Sequence, residues 1–314
     1  MIERVPNFLI AGVANAGTTA LQIYLRQHPQ IFMSPVKEPT FFGGAEAVGG
    51  RDGETVRRHV EHEHATVRWY LNQQGRSARP NGPLDWAEYV QLFDAARNER
   101  AIGEASVRYL RLPGAPGAIR ERLPGARLIF ILRDPAERLY SRYIGSRWRR
   151  SALSFADWFA NARVPDDEAE EPVDEGKYAT HLTRFFALFP REQLRIYLHD
   201  DYRANAAAVV RDILEFLQVD PEYPIDSSRR HNEATVPRSR LLHELRRWLV
   251  GTGRLPYWIP GPARRALRSF YNRRRPAPDV PMDGADRRMV VDFYREEIVR
   301  TSELIERDLS AWLV

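Results

Sequence analysis

Residues 7–21 read N-F-L-I-A-G-V-A-N-A-G-T-T-A-L, and the fold turns on how that stretch is parsed. Phe8, Leu9, Ile10 and Ala11 form a short apolar run that suits a strand buried on both faces, as in a parallel sheet. Gly12 and Gly17 follow with four residues between them, then Thr18 and Thr19, then Ala20, Leu21, Ile23, Tyr24 and Leu25 at spacings a helix uses. A strand, a glycine-bearing turn and a helix start make a phosphate-binding loop. The glycines let the backbone approach a phosphate, and the first helical N–H groups and the helix dipole face the anion. The bland alternative is a plain β-turn-α junction. The ATP-type loop, G-x-x-x-x-G-K-[ST], sets a lysine on the terminal phosphates. Here Thr18 stands in that slot, so the glycine spacing is kept and the lysine is gone.

Composition bounds what surrounds this loop. The chain has 314 residues, 43% of them hydrophobic, enough for one large α/β domain or two small ones. No apolar run approaches the roughly 20 residues of a membrane helix. The start, M-I-E-R-V-P-N, has neither the charged nor the apolar region of a signal peptide, which predicts a cytoplasmic chain. With no cysteine, disulfides, zinc thiolates and cysteine catalysis are excluded. A net charge of +5 suits anionic ligands and is too small to imply nucleic acid. The only lysines are Lys37 and Lys177; every other cation is arginine.

Downstream, residues 30–33 suit a second strand, with S-P-V-K-E-P-T-F-F (34–42) as its loop. Loops at the carboxyl ends of strands are where open α/β sheets bind ligands, so Lys37 is placed to approach the phosphate loop. A solvated lysine before a proline turn is the alternative. His59, His62, Glu63 and His64 sit at spacings a metal could use. They equally suit the wet face of a helix with Val60, Val67, Tyr70 and Leu71 inward, and no metal ligand is assigned. Trp86, Tyr89, Val90 and Phe93 recur at helical spacing, as core or as an acceptor pocket. The stretch A-I-G-E-A-S-V-R-Y-L (101–110) predicts a strand ending in Glu104, a candidate general base or a structural partner for an arginine. R-L-I-F-I-L-R-D (127–134) is the clearest strand. It runs into Arg133, with Pro135 opening a helix and Ser141 eight residues after the arginine; fork and hydroxyl together suit one phosphate. The acidic 151–175 stretch predicts a loop. Helices are expected over 176–189, 205–217 and 286–313, with a fifth strand at Leu194–Leu198. The arginine-rich 228–275 stretch carries Trp248, Tyr257, Trp258, Phe270 and Tyr271, to grip a nucleotide or an anionic or amphipathic acceptor, or as the solvated face of short helices.

In order and spacing, these segments resemble bacterial sulfotransferases that use 3′-phosphoadenosine 5′-phosphosulfate, of the general sulfotransferase family related to the heparan sulfate sulfotransferases. The loop G-x-x-x-x-G-T-T-x-L carries the likeness, with S-P-V-K-E-P-T-F-F, I-G-E-A-S-V-R-Y-L, R-L-I-F-I-L-R-D-P-A-E-R-L-Y-S, G-K-Y-A-T-H-L, L-R-I-Y-L-H-D-D-Y and the closing F-Y-R-E-E-I-V-R-T-S-E-L-I-E-R-D-L-S-A-W. The resemblance implies an α/β, P-loop-NTPase-like three-layer fold, with a central parallel sheet of about five strands and flanking helices. It makes residues 1–314 a single domain, with 44–100 and 228–280 covering the acceptor or nucleotide. It implies transfer of a sulfuryl group to a hydroxyl or amine of a glycan, lipid, phenol or secondary metabolite, leaving 3′,5′-bisphosphoadenosine, with no metal required. Peripheral membrane contact is compatible with it, and the oligomeric state is left open.

By the same resemblance, Asn15, Ala16, Gly17, Thr18 and Thr19 hold the 5′ end of the nucleotide, Arg133 and Ser141 hold its 3′-phosphate, and Glu104 is the catalytic base. The chain departs from the pattern in having Ala105 and Val107 where the heparan sulfate enzymes have lysine and proline. It also has Asn15 where the family has a lysine that stabilises the departing oxygen. Lys37 is the substitute cation that the sequence offers. The rival readings are a sulfonucleotide-binding protein with impaired catalysis, an engineered inactive variant, and a P-loop kinase. Thr18 in the lysine slot argues against the kinase.

Overall fold

The computed structural model describes residues 4–43, 53–76, 83–147, 153–162, 170–227, 235–237, 274–276 and 281–314. Five strands form one sheet: β1 (Phe8–Gly12), β2 (Ile31–Met33), β3 (Ala101–Ala105), β4 (Arg127–Leu132) and β5 (Leu194–Leu198), in the order β2-β3-β1-β4-β5. Every pairing is parallel. β1 and β4 are buried along almost their whole length. That burial is why both read as unbroken apolar runs rather than alternating ones.

Helices flank the sheet. α1 (Thr18–Leu25) follows β1; α2 (Gly53–Gln73) and the short α3 (Trp86–Val90) lie between β2 and β3 in sequence; α4 (Ala115–Arg122) precedes β4. Next come α5 (Pro135–Arg147), α6 (Phe155–Asn161), α7 (Glu170–Asp174) and α8 (Tyr178–Phe186), then α9 (His199–Ala204), α10 (Ala206–Phe216) and α11 (Gly284–Ile305). β6 (Thr235–Pro237) and β7 (Arg274–Pro276) pair antiparallel. The rest of the arginine-rich 228–275 stretch lies outside the described residues. Among the described residues no helix is long and apolar enough to cross a membrane.

Strand order sets the site. From β1 the chain moves to the β2 side of the sheet, and from β4 it moves to the β5 side, although β1 and β4 are neighbours. Ligands bind outside the carboxyl ends of such a divergent pair. The 12–17 loop after β1 and Arg133 after β4 both lie there.

Three elements differ from the sequence expectations. The acidic 151–175 stretch contains α6 and α7, started by Ser154, whose hydroxyl accepts the Asp157 N–H at 3.1 Å. The 205–217 helix is preceded by a separate turn, α9, because Asn205 leaves the helical region and caps α10 through the Ala208 N–H. The last helix stops at Ile305, where Glu306 takes a left-handed φ of 55°, and Leu309 and Trp312 fold back as buried residues. On α2, Val60, Val67 and Leu71 are buried as expected. His64 is buried too, rather than on the wet face. Its Nδ1 accepts the Leu84 N–H at 3.0 Å and its Nε2 faces the Thr40 carbonyl at 3.4 Å. Burial pushes its pKa down to about 4, so it is a neutral core residue. The His59 side chain lies outside the described residues.

Candidate active site

The loop after β1 is anchored on three sides. The Val13 N–H donates to the Ile131 carbonyl of β4 at 3.0 Å, and the Ala14 N–H donates to Glu175 Oε1 at 2.8 Å. The Asn15 carbonyl accepts from Arg133 Nη1 at 3.0 Å. Asn15 has φ 63° and Gly17 φ 95°. Asparagine is among the few non-glycine residues that take this left-handed conformation readily. Gly17 also lies over the Tyr202 ring, 3.1 Å from where a Cβ would be. Ala16 and Thr18 are buried and Thr19 is half-buried. α1 therefore starts with its orphan N–H groups at the end of the loop, and it has no acidic residue in its first turn.

Lys37 reaches this helix start. Its Nζ donates to Thr19 Oγ1 and lies 3.5 Å from Glu38 Oε1. The structure thus brings together Lys37 and the loop, two segments the sequence could only juxtapose through topology. Asn15, in the position of the family's lysine, is exposed.

Across the loop, Arg133 holds Glu137 through Nε at 3.3 Å and Nη2 at 3.1 Å. Asp134 does not pair with Arg133. It caps α5 through the Ala136 N–H at 2.8 Å and binds Arg287 of α11 at 2.7 Å. Ser141 is half-buried, two turns further along α5. His199, at the start of α9, faces the same place. Burial, aided by Arg133, lowers its pKa to about 4, and its Nδ1 has no hydrogen-bond partner among the described residues. Ligand atoms of Glu137, His199 and Asp200 lie within 4.8 Å of one another.

Glu104 is the penultimate residue of β3, which runs one residue beyond the expected end, and it faces inward. Its side chain is fully buried; Oε1 accepts from the Tyr109 hydroxyl at 2.7 Å and the Tyr89 hydroxyl at 3.4 Å, and Oε2 from Ser106 Oγ at 2.9 Å. Burial raises its pKa to about 8 against the pull of the Tyr109 and Ser106 hydrogen bonds. The sequence reading passed over a second carboxylate, Glu38, whose side chain is 22% exposed. Its backbone N–H donates to the Ala105 carbonyl at 2.9 Å, and its Oε2 accepts the Val107 N–H at 2.9 Å. Burial raises its pKa to about 7, against Lys37 and with Glu63. Its φ of 54° is unusual for a glutamate and costs on the order of 1–3 kcal/mol, a kind of strain that clusters at functional sites. Arg108 and Glu63 form an ion pair at 3.1 Å nearby. The signal in the sequence was an acid adjacent to the lysine of the loop segment. Trp86, Tyr89 and Phe93 pack with Phe41 and Phe42 as an aromatic cluster, and Tyr89 and Phe93 are fully buried.

A glycine-turned loop at the divergence of a parallel sheet places the chain in the P-loop-like α/β class. Within that class it belongs to the sulfotransferase family, whose family model matches residues 6–223. It is similar to the human bifunctional heparan sulfate N-deacetylase/N-sulfotransferase 3, 25% identical over 99% of this chain and 31% of that protein. The Drosophila melanogaster N-deacetylase/N-sulfotransferase is 27% identical over 70% of this chain and 20% of that protein. The chain therefore spans about a third or less of the length of these relatives. Among solved structures, a sulfotransferase from Alicyclobacillus acidocaldarius matches with a TM-score of 0.68 at 27% identity, covering 98% of this chain and 99% of that one.

Proposed function

We propose that the chain moves the sulfuryl group of 3′-phosphoadenosine 5′-phosphosulfate to an amine or hydroxyl of a glycan. The observation that carries this reading is Lys37 Nζ bonded to Thr19 Oγ1 at the helix start, with Glu38 beside it. One cation and one carboxylate of raised pKa thus share the mouth of the loop. The loop from Ala16 to Thr19 takes the 5′ end of the donor, and Arg133 and Ser141 take its 3′-phosphate. The acceptor atom attacks sulfur, the bond from sulfur to the 5′-phosphate oxygen breaks, and the electron pair leaves with bisphosphoadenosine. Lys37 and the loop N–H groups meet the charge that grows on that oxygen. The acceptor's proton goes to Glu38, whose pKa of about 7 suits a base near neutrality. Glu104, saturated by three hydroxyl donors, is assigned to holding the 34–42 loop: Ser106 Oγ also accepts the Thr40 N–H at 3.0 Å. The N-sulfotransferase names of the relatives favour a glycan amine among the acceptors.

The donor is tested by thermal shift. A ligand that binds only the folded state raises the melting temperature. Bisphosphoadenosine should do so without magnesium, whereas ATP with magnesium should not. The base is tested by single-turnover transfer of labelled sulfate to a de-N-acetylated glycan. Glu38→Gln should lower the rate by roughly 10²-fold or more and abolish a rising limb in the pH–rate profile centred near pH 7. Wild-type rate in Glu38→Gln, with loss confined to Glu104→Gln, would restore Glu104 as the base.

A further inference from the structure

A buried ion pair lies directly behind the loop. Arg138 of α5 is fully buried, and its Nη1 donates to Glu175 Oε2 at 2.9 Å. Its Nη2 donates to the Pro172 carbonyl. The other oxygen of Glu175 accepts the Ala14 N–H. One carboxylate therefore joins an α5 arginine to the backbone of the loop. The neighbouring residues brace it. The Tyr178 hydroxyl donates to the carbonyl of Arg133 at 2.7 Å, and the Tyr294 hydroxyl of α11 donates to the Val173 carbonyl. Gly176 lies against the Tyr294 ring, 2.8 Å from where a Cβ would be, so only glycine admits this packing.

Burying two charges is costly, and apolar residues of similar size usually serve stability as well or better. Stability therefore does not account for this pair. Its geometry gives another account. Loop N–H groups ordinarily face the anion, and here one of them is taken by the protein's own carboxylate. On the next residue, the Asn15 carbonyl is held by Arg133. Two successive loop groups are thus fixed to α5 and the end of β4, one through Glu175 and Arg138 and one through Arg133.

We propose that Arg138 and Glu175 are positioning residues that lock the loop at the 5′ end of the donor to the arginine at its 3′ end. The two grips then form one rigid frame, and the breaking sulfur–oxygen bond is held in register with Lys37. The proposal rests on the donor-site reading above.

The test compares wild type, Glu175→Gln and the double variant Arg138→Met/Glu175→Met. Glu175→Gln keeps an oxygen for the Ala14 N–H but leaves Arg138 buried without a counter-charge, so it should melt earlier. The double variant removes both charges and should fold. Amide exchange by mass spectrometry on the peptide covering residues 7–21 reads the lock itself. In the double variant it should rise at least tenfold, while peptides from β4 and β5 stay protected. Single-turnover sulfate transfer should fall at least tenfold with the acceptor KM changed less than twofold, and Glu175→Gln should retain more of the rate than the double variant. Unchanged exchange in 7–21, or wild-type transfer by the folded double variant, would overturn the proposal. If the wild type binds no bisphosphoadenosine and transfers no sulfate, the donor reading fails, and the exchange measurement still decides whether the pair locks the loop.

Discussion

Replacing Asn15 by lysine asks how much charge the loop lacks. Asn15 is exposed at φ 63°, with its carbonyl tied to Arg133. A lysine there would restore the cation that the resemblance places at the departing oxygen. A preorganised donor at a departing oxygen is worth about 2.7–4 kcal/mol. Against that, a left-handed backbone costs a lysine roughly 1–2 kcal/mol, which asparagine largely escapes. Setting a mid-range cost of about 1.3 kcal/mol against the lower gain leaves about 1.4 kcal/mol, a tenfold faster step. Asn15→Lys should therefore raise single-turnover sulfate transfer about tenfold, with bisphosphoadenosine affinity changed far less. Lys37→Ala in the Asn15 background should lower the rate by about 10²-fold, because it removes the cation on Thr19. In the Asn15→Lys background the same change should cost less, since two cations serving one oxygen are not additive. Fast transfer by the unmodified chain, indifferent to both substitutions, would refute the charge argument. Strict additivity would refute the idea that Lys37 substitutes for the missing lysine.

Arg133→Ala should weaken bisphosphoadenosine binding by on the order of 2–4 kcal/mol, Ser141→Ala by less, and both should spare adenosine 5′-phosphosulfate; calorimetry with the two ligands checks this. Glu137 competes for the same guanidinium as an exposed i,i+4 partner worth about 0.3–0.5 kcal/mol, so Glu137→Gln should tighten bisphosphoadenosine binding about twofold, and weaker binding would show that Glu137 aims Arg133 instead. Glu104 has a folded-state pKa of about 8, above the ordinary carboxylate value of 4.5. The folded protein therefore holds this proton more tightly than the unfolded chain, so the stability it contributes is complete below about pH 4.5 and is lost as pH rises through 8. Urea titrations of Glu104→Gln, which mimics the protonated form, should show a smaller alkaline decline than the natural protein, and an identical pH slope would count against the buried-proton assignment.

The parts of this fold legible in sequence are those whose burial is local. β1 and β4 are covered on both faces, so their apolar runs announce them, and Arg133 is marked by standing at the end of such a run. Lys37 stood out because the chain has only one other lysine. Glu175 was hidden by its company. It ends a run of acids that reads as solvated, and its burial depends on Arg138, 37 positions away. Glu38 was hidden because its burial comes from the turn after β3, where it accepts the Val107 N–H, 69 positions away. The inward turn of Glu104 depends on the tyrosines of α3 and of the turn after β3, whose pattern reads equally well as pocket or core. The end of α11 at Glu306 has no glycine or proline to signal it; Leu309 and Trp312 draw the chain back by finding cover.

Strand order carries one more consequence. The 3′ grip and the Arg138–Glu175 frame belong to the β4 side of β1, whereas Lys37, Glu38, Glu63 and Arg108 belong to the β2–β3 side. Besides β1, the described residues join the halves through Lys37 on Thr19, through Arg184 Nη2 on the Arg111 carbonyl at 3.1 Å and through the Asp220 N–H on Gln30 Oε1 at 2.9 Å. On the proposed reading, substitutions along α2, α3 and the turn after β3 would change the acceptor, and substitutions at Arg133 or Ser141 would change the hold on the nucleotide. On the same reading, a hybrid joined at β1 and α1 would take its acceptor from one parent and its nucleotide from the other only if the Arg184–Arg111 and Asp220–Gln30 contacts were kept.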